Sequence, residues 1–314
     1  MEAWKRELKV ILTSTLLKKK ITFGESKQTN LRISITGNKY LSSLKDSFTL
    51  KITNLTYNEI IQLIRGNYYD IEIYAGYQSS GSHRIFKGGV LYITNSYETD
   101  KSHVANILCT SNLIAKYGQS RMNLGLKSGI NMYAAISFLC KRAGIQNPNI
   151  DEDFKNRLIR EASDISSTVG SWLDNFATNN NFVLNSDESL NHQVSIWNPY
   201  RKDSRLIILD SSKIILTNGY PTLSSEGLYM TVLPTFNFMP GDTIQIDNSI
   251  IDISVTSNSQ GYSNVGYYLD EKGQYIIMQI EYSLQNRGSG FSLRLLCKAK
   301  SLVRQLLSGG GQNG

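Results

Sequence analysis

Three histidines, His83, His103 and His192, are the only imidazoles in the chain, and separations of 20 and 89 residues fit no metal-ligand spacing such as HxH or HExxH. Ligands can converge in space, but a solvated or hydrogen-bonded histidine is the commoner case. Asp151, Glu152 and Asp153 put carboxylates side by side, as glycoside chemistry would need. Consecutive acids ahead of FKNRLIRE are also what a helix N-terminus attracts through its dipole, and that reading is preferred. Cys109, Cys140 and Cys297 are odd in number and form no CxxC, so neither a disulfide framework nor a cysteine zinc site is indicated. Cys140 falls on the apolar stripe of a predicted helix, where a thiol behaves as a small hydrophobe. GYSNVG around Ser263 and GLKSG from Gly125 lack the spacing or context of a nucleophile elbow or phosphate loop and read as loops. No catalytic residue, cofactor or metal is expected.

The chain has 18 tyrosines, among them Tyr68, Tyr69, Tyr74, Tyr77, Tyr262, Tyr267 and Tyr268. Beside basic residues on a barrel such rings could stack nucleic-acid bases. No segment interleaves aromatic and basic residues densely, and the tyrosines suit protein interfaces, where a ring buries area and offers a polar tip. The net charge of +7 is concentrated at the ends. Residues 1–20 hold six bases against Glu2 and Glu7, and residues 285–314 hold five bases and no acid, leaving −2 between them. Lys18, Lys19 and Lys20 read as a solvated turn.

The elements that must position these residues are mostly strands. In the first third KRELKVIL, LRISITG, SFTLKIT, YDIEIYAGY, RIFKGGVLYIT and SHVANILCTSN alternate or are rich in β-branched residues. One helix interrupts them at TNLTYNEIIQLIRGN: Asn54 or Thr56 can cap it, Ile60, Ile61 and Ile64 share a face, and Gly66 stands where a left-handed residue would end it. From about Gln119 to Asp187 the pattern changes. Ala134, Ala135, Phe138, Leu139 and Ala143 line a helix stopped by Gly144, and Thr168 opens another with Val169, Trp172, Leu173 and Phe176 apolar, before the strand NFVLNSD. Strands return in HQVSIWNP, RLIILD, GLYMTVLP, DTIQID, GQYIIMQIEYSL and GFSLRLLCKAK, the last two joined by QNRGSG. Beyond Lys300, SLVRQLL could form a short helix and SGGGQNG a flexible end. Forty per cent apolar and 19% charged residues suffice for packed cores in two or three domains. No signal peptide or membrane-spanning helix is expected, since no run approaches the required apolar length.

Two stretches go further. Phe48 to Cys109 orders a strand, Asn54-Leu55, a short helix ending at Gly66, a strand ending Ala75-Gly76-Tyr77, and a strand from Ile85-Phe86 through Gly88-Gly89. Thr217 to Ile246 and Gly273 to Lys300 order a strand ending at Leu233-Pro234, a Pro240-Gly241 turn and a terminal hairpin. Read without any family, Gly76, Gly88 and Gly89 allow bends or close backbone approaches, and Pro240-Gly241 fits a type II turn. In this order the motifs resemble the central hub proteins of bacteriophage tails and baseplates, also seen in related contractile injection systems.

The fold expected is mainly β with an α+β insert: a tube-like antiparallel β-barrel over 1–118, the insert over 119–190, a second barrel over 191–300 and a flexible tail over 301–314. The resemblance implies a structural, non-enzymatic protein with two tube-like barrels per chain. A homotrimer would present a pseudo-sixfold face to a hexameric tail tube protein and its other face to a trimeric central spike protein. Neighbouring baseplate proteins would be further partners, and the genome could pass through the ring. The location implied is the virion tail or baseplate, assembled in the host cytoplasm. Other classes weighed are a tail-associated cell-wall-degrading enzyme, motivated by Asp151 to Asp153, and a single-strand nucleic-acid binder with OB-like barrels, motivated by a pI near 9.1 and the tyrosines.

Overall fold

The computed structural model describes residues 5–14, 17–24, 31–41, 46–66, 68, 70–79, 81–98, 102–111, 121, 123–159, 163–165, 167–179, 182–185, 194–197, 205–210, 214, 219–224, 226–235, 237–252 and 269–301. The first part of the chain supplies β1 (Arg6–Ser14), β2 (Lys19–Phe23), β3 (Arg32–Tyr40), β4 (Ser47–Thr53), α1 (Tyr57–Arg65), β5 (Asp70–Tyr77), β6 (Gly81–Tyr97) and β7 (His103–Thr110). The middle supplies β8 (Leu124–Leu126), α2 (Met132–Arg142), β9 (Asn149–Ile150), a 3-10 helix (Glu152–Asn156), β10 (Ser163–Ile165), α3 (Val169–Asn179), β11 (Val183–Asn185) and β12 (Ser195–Trp197). The last part supplies β13 (Leu206–Ile208), β14 (Thr222–Leu223), β15 (Leu228–Val232), β16 (Thr243–Gln245), a 3-10 turn (Asn248–Ile250), β17 (Gln274–Gln285) and β18 (Phe291–Ala299).

Strands from both ends of the chain share one 13-stranded sheet, in the order β14-β15-β18-β17-β3-β4-β7-β6-β5-β1-β2, with β16 on β17 and β13 on β16. The period-two pattern explains which face is inward: in β18, Phe291, Leu293, Leu295, Cys297 and Ala299 are buried while their neighbours are not. Each buried Leu or Ile contributes about 1.5–3 kcal/mol, and the inward faces merge into one apolar core across both parts. Its aromatic centre is Phe48, with ring centroids 4.4 Å from Phe86 and 5.1 Å from Tyr282.

The mainly β class with an α+β insert is as the sequence indicates. Barrel closure is the exception: among the described residues no ladder joins the β2 end of the path back to β3 or β17. Side chains span the seam instead. Arg6 donates to the carbonyl oxygens of Gln285 (3.4 Å) and Gly288 (2.6 Å) while its guanidinium lies 5.2 Å from the Phe291 ring, and Tyr77 meets that ring edge-on. Gly24 (φ +88) stands so close that a Cβ there would meet the Leu8 carbonyl oxygen at 1.8 Å and Ile33 Cδ1 at 3.3 Å.

The two parts meet through β17. A bulge between Ile277 and Gln279 lets one edge of this strand serve two partners, with β16 against Gln274–Ile276 and β3 against Gln279–Gln285. Asn286 then clasps β3 by accepting from Ile33 N (2.8 Å), donating its side-chain amide to Leu31 O (3.0 Å) and its backbone N–H to Ile33 O (3.1 Å).

The middle segment has its own core, in which Met132, Ile136 and Cys140 of α2 and Val169 and Leu173 of α3 pack with Phe154, Phe182, Leu184 and Ile196. Asn131 and Thr168 start the helices by accepting from Ala134 N (3.1 Å) and Ser171 N (3.2 Å). Gly144 (φ +75) ends α2 in a Schellman motif, with Gly144 N bonded to Lys141 O and Ile145 N to Cys140 O. Phe138, expected on the apolar face of α2, is 45% exposed, and Ile136 is buried in its place.

Candidate functional site

With no catalytic constellation expected, the residues that matter are those that join parts of the chain or face outward. The main junction begins at the turn Met239–Pro240–Gly241–Asp242. Asp242 N donates to Met239 O (3.0 Å) and Gly241 has φ +92, the conformation a type II turn requires after a proline. A Cβ on Gly241 would lie 2.8 Å from Val183 Cγ2 and 3.3 Å from Trp197 Nε1, so the turn approaches the insert as closely as it does because that residue is glycine. Gly241 N and Asp242 O bond to Ile277 O and N, anchoring the turn to β17 just before its bulge. On the same bulge Met278 O accepts from Leu41 N (3.2 Å), and Leu41 O accepts from Leu184 N (2.9 Å). First part, last part and insert thus share one backbone hydrogen-bond chain.

Charges are buried beside it. Asp242 accepts from Arg205 Nε (3.2 Å), from the Arg205 guanidinium at its other oxygen, and from Met239 N (2.8 Å). Burial pushes its carboxyl above the usual 3.8 against the opposing pull of Arg205, the Met239 N–H and Lys39. Lys39, at 2% exposure, was not singled out by the sequence reading. Its signal was present, since it continues the inward i, i+2 series of Ile33, Ile35 and Gly37 on β3.

The nine motif residues fall into separate groups. Asn54 (φ +73) precedes α1 and Leu55 is buried under it, while Thr56 provides the cap, forming a capping box with Glu59. Gly66 does end α1, but with right-handed geometry (φ −75), correcting the left-handed expectation; glycine is needed because a Cβ would strike the Tyr68 ring at 2.1 Å. The buried face of α1 is Ile60 and Leu63, whereas Ile64 is exposed. Gly76 and Gly88 lie where a Cβ would hit Gly81 O (2.2 Å) and Thr110 O (2.3 Å), and Tyr77 reaches Phe291. Pro234 is buried after β15, and Pro240 and Gly241 form the junction turn.

Outward-facing apolar residues include two groups on the strands and α1. On α1 and the β6–β7 hairpin, Tyr57, Leu91, Tyr92 and Tyr97 are each about half exposed or more, with His103 between Tyr57 (5.7 Å) and Tyr97 (4.8 Å). On β13, Leu206 and Ile208 are 46% and 65% exposed.

Among the described residues, those with chemical potential do not converge. Asp151 caps the 3-10 helix by accepting from Asp153 N (3.1 Å), the use its sequence context suggested. Burial pushes all three thiols up, Cys140 to about 12, so none is a ready nucleophile. Among the described residues no group of three His, Cys, Asp or Glu could hold a metal, and no helix is long and apolar enough to cross a membrane. His192, Tyr69, Tyr262, Ser263, Tyr267, Tyr268 and residues 302–314 lie outside the described residues. Lys19 and Lys20, read as part of a turn, open strand β2, and only Lys18 (φ +49) is in the turn.

By sequence no family model and no curated protein matches the chain. By structure the match runs nearly end to end. The 43 kDa tail protein of prophage MuSo2 from Shewanella oneidensis superposes with a TM-score of 0.56 at 10% identity, over 93% of this chain and 97% of that one. It has the fold of phage tail proteins. A tail protein from Neisseria meningitidis MC58 repeats the tail-protein match at 0.55 and 12% identity, over 94% and 97%. An E. coli protein described as a type VI secretion component with structural similarity to T4 tail proteins follows at 0.50 and 10%, over 85% and 72%. At these identities the tail-protein likeness concerns the fold.

Proposed function

We propose that this chain is a structural hub of a phage tail or baseplate, three copies of which form a ring adapting a hexameric tail tube to a trimeric central spike. The observation that carries this reading is the near-complete coverage of both chains in the two tail-protein superpositions. Its units are those of the sequence reading, 1–118, 119–190, 191–300 and 301–314, and its partners are tube, spike and neighbouring baseplate proteins in the virion tail, after assembly in the host cytoplasm. Work at this site is positional: buried glycine contacts and the Asp242 junction hold interfaces in place, and no residue is assigned to catalysis. The use of Asp151 as a helix cap supports this reading over wall hydrolysis.

Light scattering across a concentration series tests the proposal. A species near three times 35.3 kDa, about 106 kDa, is expected, alone or on mixing with tube and spike proteins. A 35.3 kDa monomer that also fails to co-sediment with either partner would overturn it.

A further inference from the structure

The two ends of the sheet carry opposite charge. From Lys5 to Lys20 the chain holds six bases and one acid, and from Arg205 to Asp252 five acids and two bases. Leu17, Lys18, Lys19 and Lys20 are exposed on and just before β2, which among the described residues pairs with β1 alone. Lysines on an edge strand discourage indiscriminate strand pairing, yet still admit a partner of opposite charge. At the other end Asp242 is offset internally by Arg205, while Glu226, Asp247 and Asp252 are exposed around β14 and β16. Leu206 and Ile208 of β13 add exposed apolar surface beside them.

Lys19 and Lys20 pair with Ser14 and Thr13, at the far end of β1 from the Arg6 that reaches Gln285 and Gly288, whereas the acidic residues flank β14 and β16 in the part of the sheet built from the last third of the chain. The lysines and the acids thus form two separate groups, each of one sign. Neither can pair with itself in an isologous dimer, because each has one sign. A head-to-tail ring needs two different complementary patches, and this chain carries such a pair.

Building on the ring reading above, we propose that copies of this chain associate head to tail, the Lys18–Lys20 edge of one copy docking on the Glu226, Asp247 and Asp252 end of the next.

Charge reversal tests it on the full chain, with far-UV circular dichroism confirming the fold of each variant. Lys18→Glu, Lys19→Glu and Lys20→Glu together, or Glu226→Lys, Asp247→Lys and Asp252→Lys together, are each expected to raise the concentration needed for the 106 kDa species at least about tenfold. All six changes in one chain restore complementarity and are expected to recover it; raising salt is expected to weaken the unmodified protein and the six-change variant alike. If both triple variants keep the full mass, this interface is wrong while the trimer stands. If the unmodified chain is monomeric at low salt and high concentration, the head-to-tail proposal falls, and the hub reading falls with it only if the chain also fails to co-sediment with tube and spike proteins. If the lysine variant assembles normally but loses affinity for a single-stranded oligonucleotide, the edge serves nucleic acid and the head-to-tail proposal is overturned.

Discussion

The long sheet and the insert reach stability by different means. In the sheet, β6, β17 and β18 run for 17, 12 and 9 residues, so alternating side chains of many strands reach one core and local irregularities are absorbed as bulges. The insert has strands of two or three residues, and its order comes from two capped helices packed on Phe154, Phe182 and Leu184. Order in the sheet is therefore cooperative over distant segments, whereas order in the insert depends on a few local contacts and on its attachment at Leu41 and Gly241.

Phe48→Ala should cost the most, about 3–5 kcal/mol, because it empties the contact with Phe86 and Tyr282; a urea titration should show the midpoint fall for the whole sheet. Leu173→Ala in α3 should cost about 2–5 kcal/mol, and hydrogen exchange should quicken in α2 and α3 while β17 and β18 stay protected. Uniform quickening would mean that the insert has no stability of its own. Gly241→Val places a branched side chain at φ +92 against Val183 and should cost roughly 1–3 kcal/mol, with limited proteolysis releasing the insert while the sheet persists.

Asp270 gives a pH-dependent test on the sheet side. Burial raises its pKa, but N–H donors of Gln274, Ser301 and Lys272 together hold it below 3.8, so its stabilisation is present above that value and lost as pH falls through the lower folded one. Asp270→Asn should be less stable by about 1–3 kcal/mol at neutral pH, and the gap in melting temperature should close progressively below pH 3.8. Asn131→Ala, losing the cap of α2 and the bond its side-chain amide donates to the Lys155 carbonyl oxygen, should cost about 1 kcal/mol, read as a small loss of helical signal in a thermal melt.

What could be read beforehand follows the same division. Long strands declare themselves because period-two burial repeats often enough to be recognised, as in SFTLKIT and FSLRLLCKA. Strands β8, β9, β10 and β14 are too short to show a period and exist through their partners. Strand β2 was hidden by its lysines, which suit an edge as well as a turn. At the junction, the turn at Pro240-Gly241 was legible because its chemistry is local, but its contact with Val183 and Trp197 depends on tertiary approach. The left-handed reading of Gly66 failed for the same reason: space for the Tyr68 ring, rather than backbone handedness, calls for glycine there.

The extra residue in β17 has a mechanical consequence. Because Met278 is accommodated as a bulge, the polypeptide crosses from the β16 pairing to the β3 pairing without leaving the sheet. A pull directed along that strand meets no hinge at the crossing. It is resisted in shear by rows of hydrogen bonds to β18 on one side and to β16 and β3 on the other, many of which must yield together, whereas peeling an edge would break them one at a time. Tension applied at one end of β17 would therefore arrive at its other end as a displacement of nearly the same size.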